Sequence, residues 1–139
     1  MVGFLGQPNM LGGTPERFAL EYIDDAVITR PDVAEQKDPH ISFARMIFPT
    51  GAALDAAIPA WKSVFEETKG ESGSFVYGLA LDKDKRDTLY TMQMYESEGY
   101  LRNVHLKENK AVEGTKATLT SNTSVEHNVL KFMGGYFTK

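Results

Sequence analysis

The chain has 139 residues, 42% of them hydrophobic and 24% charged, with a net charge of −4; this predicts one globular domain with a modest core. It contains no cysteine, which excludes disulfides, thiolate metal sites, iron–sulfur clusters and a cysteine nucleophile. Lys83, Lys85 and Arg86 alternate with Asp82, Asp84 and Asp87, so no basic patch stands apart to favour a nucleic acid or an anionic membrane. No apolar run approaches the roughly 20 residues of a membrane helix. Residues 1–15 lack the basic and apolar regions of a secretory signal, and a cytoplasmic protein is expected.

Residues 1–13 are Gly-rich and contain Pro8, so they read as an arm or loop. Thr14 and Pro15 resemble a helix cap and a first-turn proline, whereas Phe18, Leu20 and Tyr22 alternate as in a strand. The reading leans to a helix over 14–26, followed by a polar connector over 31–39. Residues 1–40 are thus expected as an N-terminal arm or extension, and 41–139 as the folded domain.

Residues 41–48 alternate as a strand, broken by Pro49-Thr50-Gly51. Leu54, Ile58, Trp61 and Phe65 then recur at spacings of four, three and four, the stripe of a helix packed on a sheet. It is expected to end near Gly70 in a left-handed cap. Residues 75–81 and 88–95 alternate as two strands joined by a charged turn. Ser97 can cap a second helix that puts Tyr100, Leu101, Val104, His105, Ala111 and Val112 on one face. A Thr/Ser-rich loop over 115–124 precedes a last strand over 125–132, and Gly134-Gly135 releases the tail.

Strand, helix, strand, strand, helix, strand is the split βαβ, ferredoxin-like order of an α+β fold with an antiparallel sheet. Strands covered on one side alternate apolar with polar. Here Phe43 and Ile47 oppose Met46 and Phe48, and Leu89 and Tyr95 oppose Tyr90, Met92 and Met94. Two helices cover only one face, so the other is expected to meet a second copy about a two-fold axis. The competing reading is that residues 1–40 fold over it.

Three segments carry a resemblance: Pro49-Thr50-Gly51 before the helix, Glu71-Ser72-Gly73 before a strand, and QMYESEGYLRNVH from Gln93 to His105. With the C-terminal LKFMGGYF they make the chain similar to the antibiotic biosynthesis monooxygenase family of the dimeric α+β barrel superfamily. Gln93 stands where that family usually has Glu. The resemblance implies a homodimer and a cofactor-independent monooxygenase, with no flavin or metal. Its substrate would be a polycyclic aromatic or polyketide-like small molecule whose own carbanion reacts with oxygen. The superfamily also holds cyclases, isomerases, haem-degrading enzymes and proteins without known catalysis, and fold does not fix function.

The candidate catalytic residues are His105, Tyr95 and Tyr77. His105 is either a core histidine or a pocket base, since imidazole titrates near neutral pH, and buried tyrosine hydroxyls can donate to a developing phenolate or enolate. Candidate substrate contacts are Trp61, Gln93, Arg45 and Tyr90. Trp61 reads as the anchor of the helix stripe or as a wall for a flat ligand. Arg45 reads as the partner of an acid across a dimer or of an anionic substrate group. Gln93 could orient a ligand or be a structural amide. His40 reads as a loop residue and His127 as partly exposed. Without HxH or HExxH spacing, the three histidines argue against a metal site.

Overall fold

In chain order, the computed structural model, which describes residues 19–131, contains β1 (Leu20–Thr29), a 3₁₀ turn (Pro31–Glu35), β2 (His40–Ile47) and α1 (Gly51–Thr68). Strands β3 (Ser74–Asp82) and β4 (Thr88–Tyr95) follow. Three helical segments, Glu98–Tyr100, a π-helical turn Leu101–His105 and Leu106–Glu108, then run end to end as α2. The chain continues through α3 (Val112–Thr118) to β5 (Ser124–Leu130). Among the described residues the strand pairings are antiparallel, in the order β1-β3-β4-β2-β5. β4 lies between β2 and β3, and α1 makes the crossover between them. This is the ferredoxin-like α+β arrangement, with β1 added at the β3 edge.

The leaning to helix over 14–26 is corrected where the chain is described: from Leu20 it is strand, inside the stretch expected as an arm. Asp24 and Asp25 take φ of 41° and 58°, the left-handed region. They open a bulge, so that Ile23, Asp24, Asp25 and Ala26 stand where β3 has only Leu79. The bulge breaks the alternation that would have announced the strand, and it turns Ile23 and Ala26 into the core. Thr14, and the last strand's expected end at Phe132 with the Gly134-Gly135 release, lie outside the described residues.

α1 begins where Thr50 Oγ1 accepts from Ala53 N at 3.0 Å, a cap worth about 1 kcal/mol. Its stripe, Leu54, Ala57, Trp61, Val64, Phe65 and Thr68, is buried against the sheet. The helix closes by tight turns, with Gly70 N donating to Glu67 O and Glu71 N to Thr68 O. Gly70 is not left-handed, which corrects the expected cap. Arg30, just past β1, donates to the carbonyls of Lys69 (3.0 Å), Glu71 (2.8 Å) and Ser74 (2.6 Å). It thereby satisfies acceptors that a helix end leaves open and fixes the turn that presents Glu71. The segment expected as loop over 115–124 is helical as far as Thr118.

The register sorts the sheet. Ser42, Ala44 and Met46 share the helix-facing side with Tyr77, Leu79, Leu89, Thr91, Gln93 and Tyr95. Ile41, Phe43 and Arg45 share the far side with Val76, Ala80, Tyr90, Met92 and Met94. On that far side Tyr90 and Met94 are already buried in the single chain. Among the described residues, no helix is long and apolar enough to cross a membrane.

Candidate functional site

Gly73 begins the site. A side chain there would lie 2.4 Å from the Tyr100 ring, so only glycine lets α2 settle this closely on the end of the sheet. Tyr100 stacks on Tyr95 with ring centroids 6.4 Å apart. Five residues further on, His105 is packed between Tyr95 (5.1 Å) and Tyr77 (5.7 Å). Its Nδ1 meets both oxygens of Glu71, at 3.1 and 2.9 Å, and the two side chains are only 4% and 10% exposed. A carboxylate accepts, so the ring donates from Nδ1 to Glu71 and turns its Nε2 edge the other way. Asn109 Nδ2 donates to Glu71 Oε1 at 2.8 Å, holding the carboxylate from its far side.

The three expected catalytic residues therefore do come together, and the structure adds Glu71 and Asn109. Burial pushes the Tyr77 phenol well above its ordinary range, and the Glu71 charge adds to this. Burial does the same for Tyr95, with Tyr77 and Glu71 adding. Both are thus hydroxyl donors at neutral pH. Tyr95 donates to Gln93 Oε1 at 3.0 Å, while the Tyr77 hydroxyl and Ser74 Oγ are buried without a partner among the described residues.

Beside this cluster, on the same side of the sheet, a cleft of about 420 Å³ runs beneath α2, within the range of small-ligand pockets. Its floor is His40, Ser42 and Gln93, with His127 and Val129 at the β5 edge, and its roof is Leu101, Arg102, Leu106 and Glu98. His40 Nε2 is buried there with no hydrogen-bond partner among the described residues. Glu98 bonds to Arg102 at 2.6 Å, and that guanidinium holds its carboxyl below the ordinary range. His105 does not line the cleft. Tyr95 and Gln93 stand between them.

The other expected contacts are elsewhere. Trp61 is the core anchor of the helix stripe, the first of its two expected readings, and does not wall the cleft. The stripe that buries α1 aims its ring at the core, where Nε1 donates to Thr118 Oγ1 at 3.3 Å. Arg45 and Tyr90 face the far side. Arg45 pairs with Glu126 of its own chain at 2.6 Å, a cross-strand neighbour on β5, so no acid from another copy is needed. Tyr90 donates to Asp82 Oδ2 at 3.0 Å. His40 is not in a loop but opens β2. Its position two residues before Ser42, on the alternation of that face, was the available signal. No group of three or more His, Asp or Glu suited to hold a metal occurs among the described residues.

No protein-family model and no curated protein matches the chain. Solved structures do match its fold. SnoaB, a cofactor-independent oxygenase from Streptomyces nogalater, is 11% identical with a TM-score of 0.55, over 74% of this chain and 100% of its own. A candidate antibiotic biosynthesis monooxygenase from Caulobacter crescentus is 16% identical with a TM-score of 0.52, over 66% and 89%. A dimeric ferredoxin-like protein from an uncultured marine organism is 8% identical with a TM-score of 0.55, over 75% and 96%. At these identities the likeness is one of fold, and the chemistry has to be argued from the side chains.

Proposed function

We propose that the protein is a cofactor-independent monooxygenase of an electron-rich polycyclic aromatic or polyketide-like small molecule, and that it works as a homodimer. One observation carries this reading: the floor of a ligand-sized cleft includes Gln93, whose side chain accepts from Tyr95, and Tyr95 in turn packs on the His105 ring held by Glu71. The neighbouring structures named above, one of them an oxygenase that needs no cofactor, support it at the level of fold.

In this reading the substrate lies in the cleft and loses a proton from an activated carbon. The carbanion then reduces oxygen; one oxygen atom becomes a new carbonyl and the other leaves as water. Tyr95 occupies Gln93 Oε1, which leaves the Gln93 amide hydrogens free to hold a developing oxyanion. One well-aimed donor of that kind is worth about 3–4 kcal/mol. His105, oriented by Glu71, acts as the proton relay behind Tyr95, and Tyr77 is the second donor. Trp61, Arg45 and Tyr90 have no part in it.

The test is oxygen uptake by the purified, cofactor-free protein with a panel of anthrones. Uptake above background is expected, falling at least about 100-fold in Gln93→Ala and in His105→Ala, as loss of a donor or proton-transfer group would require. Turnover that continues without oxygen would instead identify a cyclase or isomerase. No uptake, with unchanged behaviour of both variants, removes the oxygenase reading.

A further inference from the structure

Resting on the placement of the substrate in the cleft, we infer that His40 is the residue that touches it and accepts its proton, from an acidic hydroxyl or enolisable group of a planar aromatic ligand. The starting point is an imbalance. Buried polar atoms are nearly always paired, and an orphan is destabilising, yet Nε2 of His40 is buried and has no partner among the described residues. The same residue lines the floor of the cleft, so a turn of the imidazole about its Cβ–Cγ bond can bring Nε2 to a ligand group that supplies what the protein does not.

The setting suits a proton acceptor. His40 stands directly across from Tyr95 in the β2–β4 ladder, next to the aromatic wall formed by Tyr95 and Tyr100. Glu98 faces the same cleft from α2, so an imidazolium formed at His40 has a carboxylate to answer it. Arg102, bonded to that carboxylate, and His127 across the cleft are the other titratable groups that face the same space. Leu101, Leu106 and Val129 supply the apolar walls, which favour a flat ring system over a charged metabolite. His105 is tied to Glu71 and separated from the cleft, so it cannot make this contact itself. The step moves one proton from the ligand oxygen or carbon to Nε2, leaving the ligand anionic and His40 cationic. No bond to oxygen is involved at this stage.

A hydroxyanthraquinone serves as probe, because it has an acidic phenol and no carbon to be oxygenated. Added to the full chain labelled with ¹⁵N-histidine, it is expected to develop the red-shifted absorption of its phenolate on binding while the His40 resonances move to those of imidazolium. His40→Asn should abolish the phenolate band, and with anthrone should lower the rate of oxygen uptake by about 10²–10⁴-fold, the usual worth of a positioned base. Should His40→Asn fail to fold, His40→Gln with the same two readouts replaces it. The inference is overturned if the phenol binds neutral with His40 unmoved, if it does not bind, or if the phenolate band survives in the variant. Phenolate formation at His40 in a protein that takes up no oxygen would overturn the oxygenase reading and leave this one standing.

Discussion

Tyr77 and Tyr95 lie together on the helix-facing side of β3 and β4, yet among the described residues only the Tyr95 hydroxyl has a partner. The difference gives them opposite responses to the same substitution. Tyr95→Phe removes a hydrogen bond worth about 1 kcal/mol and should lower stability by that much. Tyr77→Phe removes a buried, unpaired hydroxyl whose desolvation is uncompensated, so stability should be unchanged or raised. Burial raises both phenols above the ordinary 10.0 of tyrosine. A group raised on folding contributes stability that is complete below its unfolded pKa and is lost as pH climbs toward the folded one. Urea midpoints should therefore fall steeply once the pH passes 10, and less steeply in Tyr77→Phe; equal slopes in both proteins would contradict this. At this scale the tyrosines and His105 were legible, because alternation and helical spacing put them on one face. Glu71 was not, since 34 positions separate it from His105 and nothing local marks a carboxylate as the partner of a distant ring.

The π-helical turn in α2 explains a feature of the cleft that helical periodicity would forbid. Residues five apart diverge by about 140° on a regular α-helix, yet Leu101 and Leu106 both roof the cleft. Leu106 N donates to Leu101 O, and this wider turn brings residues five apart onto one side. The half of α2 after the turn is anchored through His105 and Asn109 to Glu71. Deleting the exposed Asn103 should turn the wide turn into regular α-helix, in which Leu101 and Leu106 are four apart, about 40° from each other, and both stay on the roof. The expected result is a folded protein with native-like circular dichroism that still binds a hydroxyanthraquinone; at least tenfold weaker binding would mean that the extra residue of the turn itself shapes the cleft. Such a turn has no signature in residue type. β2, β3 and β4 were read to within a residue, because their alternation is unbroken. β1 was missed because the Asp24–Asp25 bulge interrupts the same signal.

On the scale of the molecule, the strand order followed from the order of elements and from pairing rules, whereas the fate of the two sheet edges did not. Exposed apolar groups collect at both edges. Leu130 lies at the β5 edge of the far face, Tyr22 and Val27 lie at its β1 edge, and half-buried Ile41, Val76 and Met92 lie between. Val125 and Val129 are more than half exposed on the helix side of β5, whose seven residues are all exposed and whose outer backbone is open to pairing. At half exposure each such side chain can still yield about 1 kcal/mol on burial. Two valines from each of two copies then give about 4 kcal/mol, at the lower bound of the 4–15 kcal/mol that association costs. The β5 rim alone is therefore too little, and a stable pair needs the far face as well. Light scattering at micromolar concentration should give twice the 15.5 kDa chain mass. Val125→Glu should weaken the pair, and Val27→Glu with Leu130→Glu should separate it. Because β5 also supplies His127 and Val129 to the cleft, separated copies should retain the fold while binding an aromatic probe more weakly. A single-chain mass at every concentration, with probe binding intact, would show that the cleft is complete within one copy.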